Sequence, residues 1–125
     1  MKILNLTRCT TITNHTEIAT SFLEKMRGLM FRERLEEGRG MLMMFRKESR
    51  HAIWMFGMRF PIDLIFINSE RRVVGITENF SPLALHPKTW KVSKPGEECK
   101  YVLEVNSGVA RKTGTKLGDE IEFVF

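Results

Sequence analysis

Apolar and polar positions alternate along much of this chain, in short runs broken by Gly, Pro or clustered charges at roughly 8–12-residue intervals. Residues 3–8 set Ile3, Asn5 and Thr7 against Leu4, Leu6 and Arg8, the period of two that a half-buried strand needs. A second short strand is expected at residues 17–20, after a turn at Asn14 and His15. Ser21 and Glu24 then form an S-x-x-E capping box opening a short helix, with Phe22, Leu23 and Met26 as its inner face and Gly28 as its stop. Two apolar runs, 41–45 and 52–56, flank the charged stretch 46–50 and predict a hairpin. Gly57 to Pro61 bends the chain into a strand at 63–67, and residues 68–71 turn it into another at 72–79, giving a three-strand meander.

Beyond it, residues 81–87 are irregular, 90–92 form a short strand, and 101–105 a longer one. Ser107 is placed to cap a single helical turn at 109–112 that Gly114 ends, before a last strand at 120–125 with Ile121, Phe123 and Phe125 on one side. No helical pattern is long enough to cross over a parallel sheet, which excludes an α/β fold. The expectation is all-β: one domain over residues 1–125, a β-sandwich or barrel with two short helices. Its centre is the segment 53–67, where Arg59 and Asp63 are the sole charges among Trp, Met, Phe and Ile side chains.

Composition changes this picture little. The 125 residues are 42% hydrophobic and 28% charged, which suits an ordinary globular chain and excludes disorder. Neither a membrane-spanning run nor a signal sequence is visible, so a cytoplasmic protein is expected. The net charge of +5 permits an acidic partner, but bases and acids are interleaved, as in Arg32, Glu33, Arg34, Glu36 and Glu37. Cys9 and Cys99 are too far apart for a local redox or zinc motif; in a cytoplasm two thiols are the default, although a bridge stays open. The absence of glutamine and the wealth of Lys, Arg and Glu lean toward a hot habitat.

Among polar residues Asp63 stands out, because a carboxylate between Pro61, Ile62, Leu64 and Ile65 must be neutralised by an arginine or bonded to backbone N–H groups if buried. Holding the core in register is its simplest role; binding a ligand or moving a proton is the sharper one. Asp63 and Glu104 could also face one another as a hydrolase pair. Met26, Met30, Met41, Met43, Met44, Met55 and Met58, with His51, offer soft ligands for copper, but they fall in core-like runs without Met-x-x-Met spacing. Trp54 and Trp90 could serve as stacking platforms or simply as packing residues. No serine elbow and no metal-spaced His cluster occurs, so no cofactor or metal is expected.

Four stretches, read in order, carry a resemblance: Arg27-Gly28-Leu29-Met30-Phe31-Arg32; Gly40-Met41-Leu42; Trp54-Met55 with Pro61-Ile62-Asp63 and Phe66-Ile67; and Tyr101-Val102-Leu103-Glu104 with Gly108, Gly114 and Gly118-Asp119. From about residue 21 to the C-terminus the chain resembles the family called domain of unknown function 192. The resemblance implies a single β-sandwich of jelly-roll type and no established activity. Where many members carry Lys-Asn-Thr after the Trp-Met pair, this chain has Phe56-Gly57-Met58, which shifts any shared site toward apolar ligands.

The leading expectation is a small non-catalytic binding or accessory domain, monomeric or weakly oligomeric and not membrane-bound, taking a small molecule or a protein. Its cleft would lie near the bend at Gly57–Pro61 and use Arg27, Arg32, Trp54, Asp63 and Glu104. The alternatives are a carbohydrate-directed hydrolase using Asp63 and Glu104, and a basic nucleic-acid-binding module.

Overall fold

The computed structural model describes residues 1–21, 24–25, 29, 32–54, 59–81, 92–93 and 95–125, with the side chains of Trp54, Val92 and Ser93 left aside. Ten strands follow one another: β1 (Lys2–Asn5), β2 (Thr10–Thr13), β3 (His15–Ala19), β4 (Arg39–Ser49), β5 (Ile53–Trp54), β6 (Ile62–Ile67), β7 (Val73–Phe80), β8 (Val92–Ser93), β9 (Cys99–Asn106) and β10 (Ile121–Val124). One helical turn, α1 (Val109–Lys112), sits between β9 and β10. A five-stranded sheet runs β3-β4-β9-β6-β7, a three-stranded sheet β10-β1-β2, and β5 pairs with β8. All pairs are antiparallel except β3 with β4.

The five-stranded sheet is buried on both faces, so β6 is inaccessible at all six positions. One face presents Met41, Met43, Ile62, Leu64, Phe66 and Val102 to Leu29, Leu35 and Ile53. The other presents Leu42, Ile65, Ile67, Leu103 and Val105 to Ile3, Ile12, Ile121 and Phe123 of the smaller sheet. Two sheets therefore pack face to face and do not close, which makes the chain an all-β sandwich. Each fully buried aliphatic side chain in these layers stabilises by about 1.5–3 kcal/mol.

Several expectations need correction. Among the described residues the hairpin expected at 41–56 does not form: β4 runs on through Arg46, Lys47 and Glu48, and β5 pairs with β8 instead. The charged stretch stays in the strand but bulges from it, with five residue steps from Met44 to Ser49 set against two from Tyr101 to Cys99, so its exposed side chains lie on an irregular part of the β4–β9 pair. The meander also fails, because β9 inserts between β4 and β6, leaving β6–β7 as the hairpin. Close packing there requires Gly40, where a Cβ would stand 2.8 Å from Thr13 Cγ2 and 3.0 Å from the Glu104 carbonyl oxygen. The N-terminal strand stops at Asn5 and a separate β2 follows the turn. Phe125 is 83% exposed and does not join Ile121 and Phe123 inside.

The capping box is present and reciprocal: the Glu24 N–H donates to Ser21 Oγ at 3.1 Å, and the Ser21 N–H to Glu24 Oε1 at 3.1 Å. The inner face proposed for that helix, Phe22, Leu23 and Met26, lies outside the described residues. Cys9 is exposed and Cys99 buried, and both are free thiols, so no bridge joins them.

Candidate functional site

Glu104 occupies the middle of the central strand β9, where register sets it between Met41 of β4 and Leu64 of β6. All three belong to the face covered by Leu29, Leu35 and Ile53, and Glu104 itself is only 4% exposed. Its Oε2 is buried and accepts no hydrogen bond from the described residues. Burial pushes the carboxyl from its ordinary value of 4.5 up to about 7, against the pull of the Arg32 guanidinium. In water a carboxylate would bond several donors, so leaving one oxygen bare in the interior is costly.

One strand further out, Glu17 pairs with Met41, so Glu17, Met41 and Glu104 form one row on the same face. Two strand spacings put Glu17 about 10 Å from Glu104. Arg32 closes a two-pronged ion pair on Glu17, Nη1 to Oε2 at 2.6 Å and Nη2 to Oε1 at 3.2 Å. That bond, more than the pull of the charge alone, holds the Glu17 carboxyl below its usual range. Both partners are partly exposed, so the row passes from solvent at Glu17 to the interior at Glu104.

Asp63 tells a different story. It pairs in register with Val105, one step from the Leu64–Glu104 pair, so its side chain leaves the opposite face of the sheet. Its Oδ1 accepts the Asn79 N–H at 2.8 Å, and its Oδ2 accepts the N–H groups of Gly108 at 3.1 Å and Ala110 at 3.0 Å. Asp63 thus caps α1 through space, the work expected of Ser107. Gly108 adopts φ 95° with no side-chain cap of its own, while Ser107 Oγ donates to Asn79 Oδ1 at 2.8 Å. Of the two fates open to a buried aspartate, bonding to backbone N–H groups is the one realised.

The hydrolase pairing of Asp63 with Glu104 therefore fails on geometry: the two carboxylates point away from each other through one sheet, and the lone pairs of Asp63 already hold structure. Arg32 bonds Glu17 and only its charge reaches Glu104, whereas Arg27 lies outside the described residues. Trp54 sits on β5 opposite Val92 of β8, and Trp90 is not among the described residues. Of the methionines weighed for copper, Met41 and Met43 belong to one core and Met44 borders the other; Met26, Met30, Met55 and Met58 lie outside the described residues. His51 is stacked on Phe45 at 3.6 Å. Glu17 went unnoticed in the sequence. Its signal was present in the alternation of β3, but pairing with a residue fifteen positions away is a tertiary fact.

A third buried acid, Asp119, holds three donors on its Oδ2. Burial raises its pKa, but bonds from Asn5 Nδ2 at 3.0 Å, Arg8 Nε at 3.1 Å and the Lys116 N–H at 2.9 Å outweigh it and leave the carboxyl below its usual range. These contacts tie β1 to the turn before β10.

Fold and site together describe an all-β sandwich with one unsatisfied carboxylate on its central strand. The chain belongs to the family DUF192, described as "Uncharacterized ACR", whose family model matches residues 5–123 and so includes the strands ahead of residue 21. It is 29% identical over 124 residues to a UPF0127 protein of Pyrococcus abyssi, covering 98% of this chain and 97% of that one. Relatives of this kind come from thermophilic archaea, in line with the composition. Among solved structures, a protein of unknown function from Novosphingobium aromaticivorans matches with TM-score 0.80 and 28% identity, over 98% of this chain and 82% of the other. A Sinorhizobium meliloti protein described as a candidate transcription regulator matches with TM-score 0.82 and 27% identity, over 97% and 89%. The family's function is not established.

Proposed function

We propose that this protein is a non-catalytic binding domain that takes a small ligand at Glu104, with Arg32 and Glu17 at the outer end of the site. The observation that carries this reading is the buried Glu104 Oε2, without a hydrogen-bond partner among the described residues. The two buried aspartates differ from it: Asp63 accepts on both oxygens, and Asp119 takes three donors on its Oδ2, so among the described residues Glu104 Oε2 is the buried side-chain oxygen without a donor. A ligand donating one hydrogen bond would repair it. A cytoplasmic setting belongs to the same reading and is supported by the two free thiols. Among the described residues no helix is long and apolar enough to cross a membrane.

A thermal-shift screen of small charged and neutral compounds, run on wild type and Glu104→Gln, tests the proposal. A ligand at 100 times its dissociation constant adds about 2.7 kcal/mol of stability. The expected hit stabilises wild type and not the variant; hits that stabilise both equally, or none at all, would overturn it.

Nucleic-acid binding remains a second reading, favoured by the name of the Sinorhizobium relative and by a groove on the opposite side of the sheet. Arg111 and Lys116 line this groove of about 590 Å³ beside Ile76 and Leu117, against a single acid, Glu78, and neither base forms an ion pair among the described residues. A mobility shift with duplex DNA that weakens steeply between 50 and 200 mM salt is the expected sign; no shift at low salt removes this reading.

A further inference from the structure

We infer that the ligand of the Glu104 site is a small organic cation, an ammonium or amidinium group on a short apolar body, whose N–H donates to Glu104 Oε2. This rests on the reading that Glu104 is a binding group and goes on to name the chemistry. The charges on this face support it. Glu17 and Arg32 cancel one another through their two-pronged bond, which leaves the ionised Glu104 as an unbalanced negative charge beneath them. A singly charged cation restores neutrality; an anion would add a second negative charge to a buried place, and a neutral compound would leave the first one standing. Among the described residues, the other titratable groups on or against this face are His15 on β3, Arg39 on β4, whose charge acts on Glu17, Lys100 and Cys99 on β9, and Lys25, which lies over the Phe45 ring; of the cations, Arg32 is the one whose charge acts on Glu104. No base lies on β6, and Thr77 is the partner of Leu64 on β7. Met41 and Leu64 flank Glu104 in register, so the surroundings of the carboxylate are apolar.

Binding of this kind is coupled to a proton. The cation needs the ionised carboxylate, so the proton that Glu104 holds at lower pH leaves to solvent as the ammonium group arrives. With a midpoint of about 7, the ionised fraction rises about tenfold between pH 6 and pH 8, and apparent affinity rises with it.

The test is a carbon-13 NMR titration of the full-length chain with n-butylammonium chloride, 1-butanol and sodium butyrate, following the Glu104 carboxyl at pH 6 and pH 8. The expected result is saturable binding of n-butylammonium alone, about tenfold tighter at pH 8, and lost in Glu104→Gln. Arg32→Gln should move the onset of binding to higher pH, because the Glu104 midpoint rises without the guanidinium; an unchanged pH dependence would overturn the charge argument. If 1-butanol or butyrate binds in a Glu104-dependent way and n-butylammonium does not, the cation inference is wrong while the binding reading stands. If none of the three binds, or Glu104→Gln binds them as wild type does, both fall.

Discussion

Asp63 and Glu104 sit on neighbouring strands, one register step apart, and both are buried, yet they live in opposite chemistries. Asp63 looks toward α1 and the end of β7, where three backbone N–H groups converge on its two oxygens. Glu104 looks toward Met41 and Leu64, with an arginine near enough to feel but not to bond. Depth alone therefore does not decide what a carboxylate does. A chain turn brings free N–H groups that must be satisfied; the middle of a paired sheet brings none, because its backbone donors already serve the ladder. The first site consumes an acid in structure and the second leaves one available.

The difference can be broken most forcefully at Asp63. Asp63→Ala strips three N–H groups of their acceptor, and a loss of about 3–5 kcal/mol is expected in urea unfolding. A loss under about 1 kcal/mol would show that α1 does not depend on this cap.

Glu104→Gln should act in the other direction. The folded protein keeps the Glu104 proton up to about pH 7, whereas the unfolded chain releases it near 4.5, so stability falls as pH rises through that window. The whole loss is on the order of 3 kcal/mol. The variant should match wild type near pH 5 and exceed it by about 2–3 kcal/mol at pH 8, as read from unfolding midpoints across the range. The Asp119 contribution runs oppositely: its depressed pKa adds stability above the ordinary carboxylate range, lost as pH falls through the folded value.

Smaller effects sharpen the contrast. Ser107→Ala removes a bond to Asn79 but not the helix cap, so a cost of about 1 kcal/mol is expected, well below that of Asp63→Ala. Equal costs would return the capping role to Ser107. Arg32→Ala breaks a half-exposed ion pair and should cost less than about 1 kcal/mol. Its informative effect lies elsewhere: without the guanidinium, the Glu104 midpoint moves further up.

Much of the fold was legible because the evidence for it is local. The Ser21–Glu24 capping box, the β6–β7 hairpin and the one-turn helix after β9 all follow from side chains within a few positions of one another. What escaped were pairings between distant segments. Nothing in residues 46–50 says whether an exposed charged stretch is a turn or a bulge within a strand, and nothing local places β9 between β4 and β6. The site divided along the same line. Glu104 and Asp63 were both visible as carboxylates in apolar runs, but the face each leaves depends on inter-strand register, and that settles which one has partners. Asp63 drew attention for its apolar neighbours in sequence; Glu104 proved the more exceptional for its neighbours in space.

The state of the Glu104 carboxyl group is central, and carbon-13 NMR of selectively labelled glutamate side chains reads it directly. Titrating the ligand-free protein from pH 4 to pH 9 should show Glu104 ionising near pH 7 while Glu17, bonded to Arg32, ionises below the usual carboxylate range. A Glu104 midpoint at its ordinary 4.5 would mean that the buried oxygen has found a donor, and would contradict the site described above.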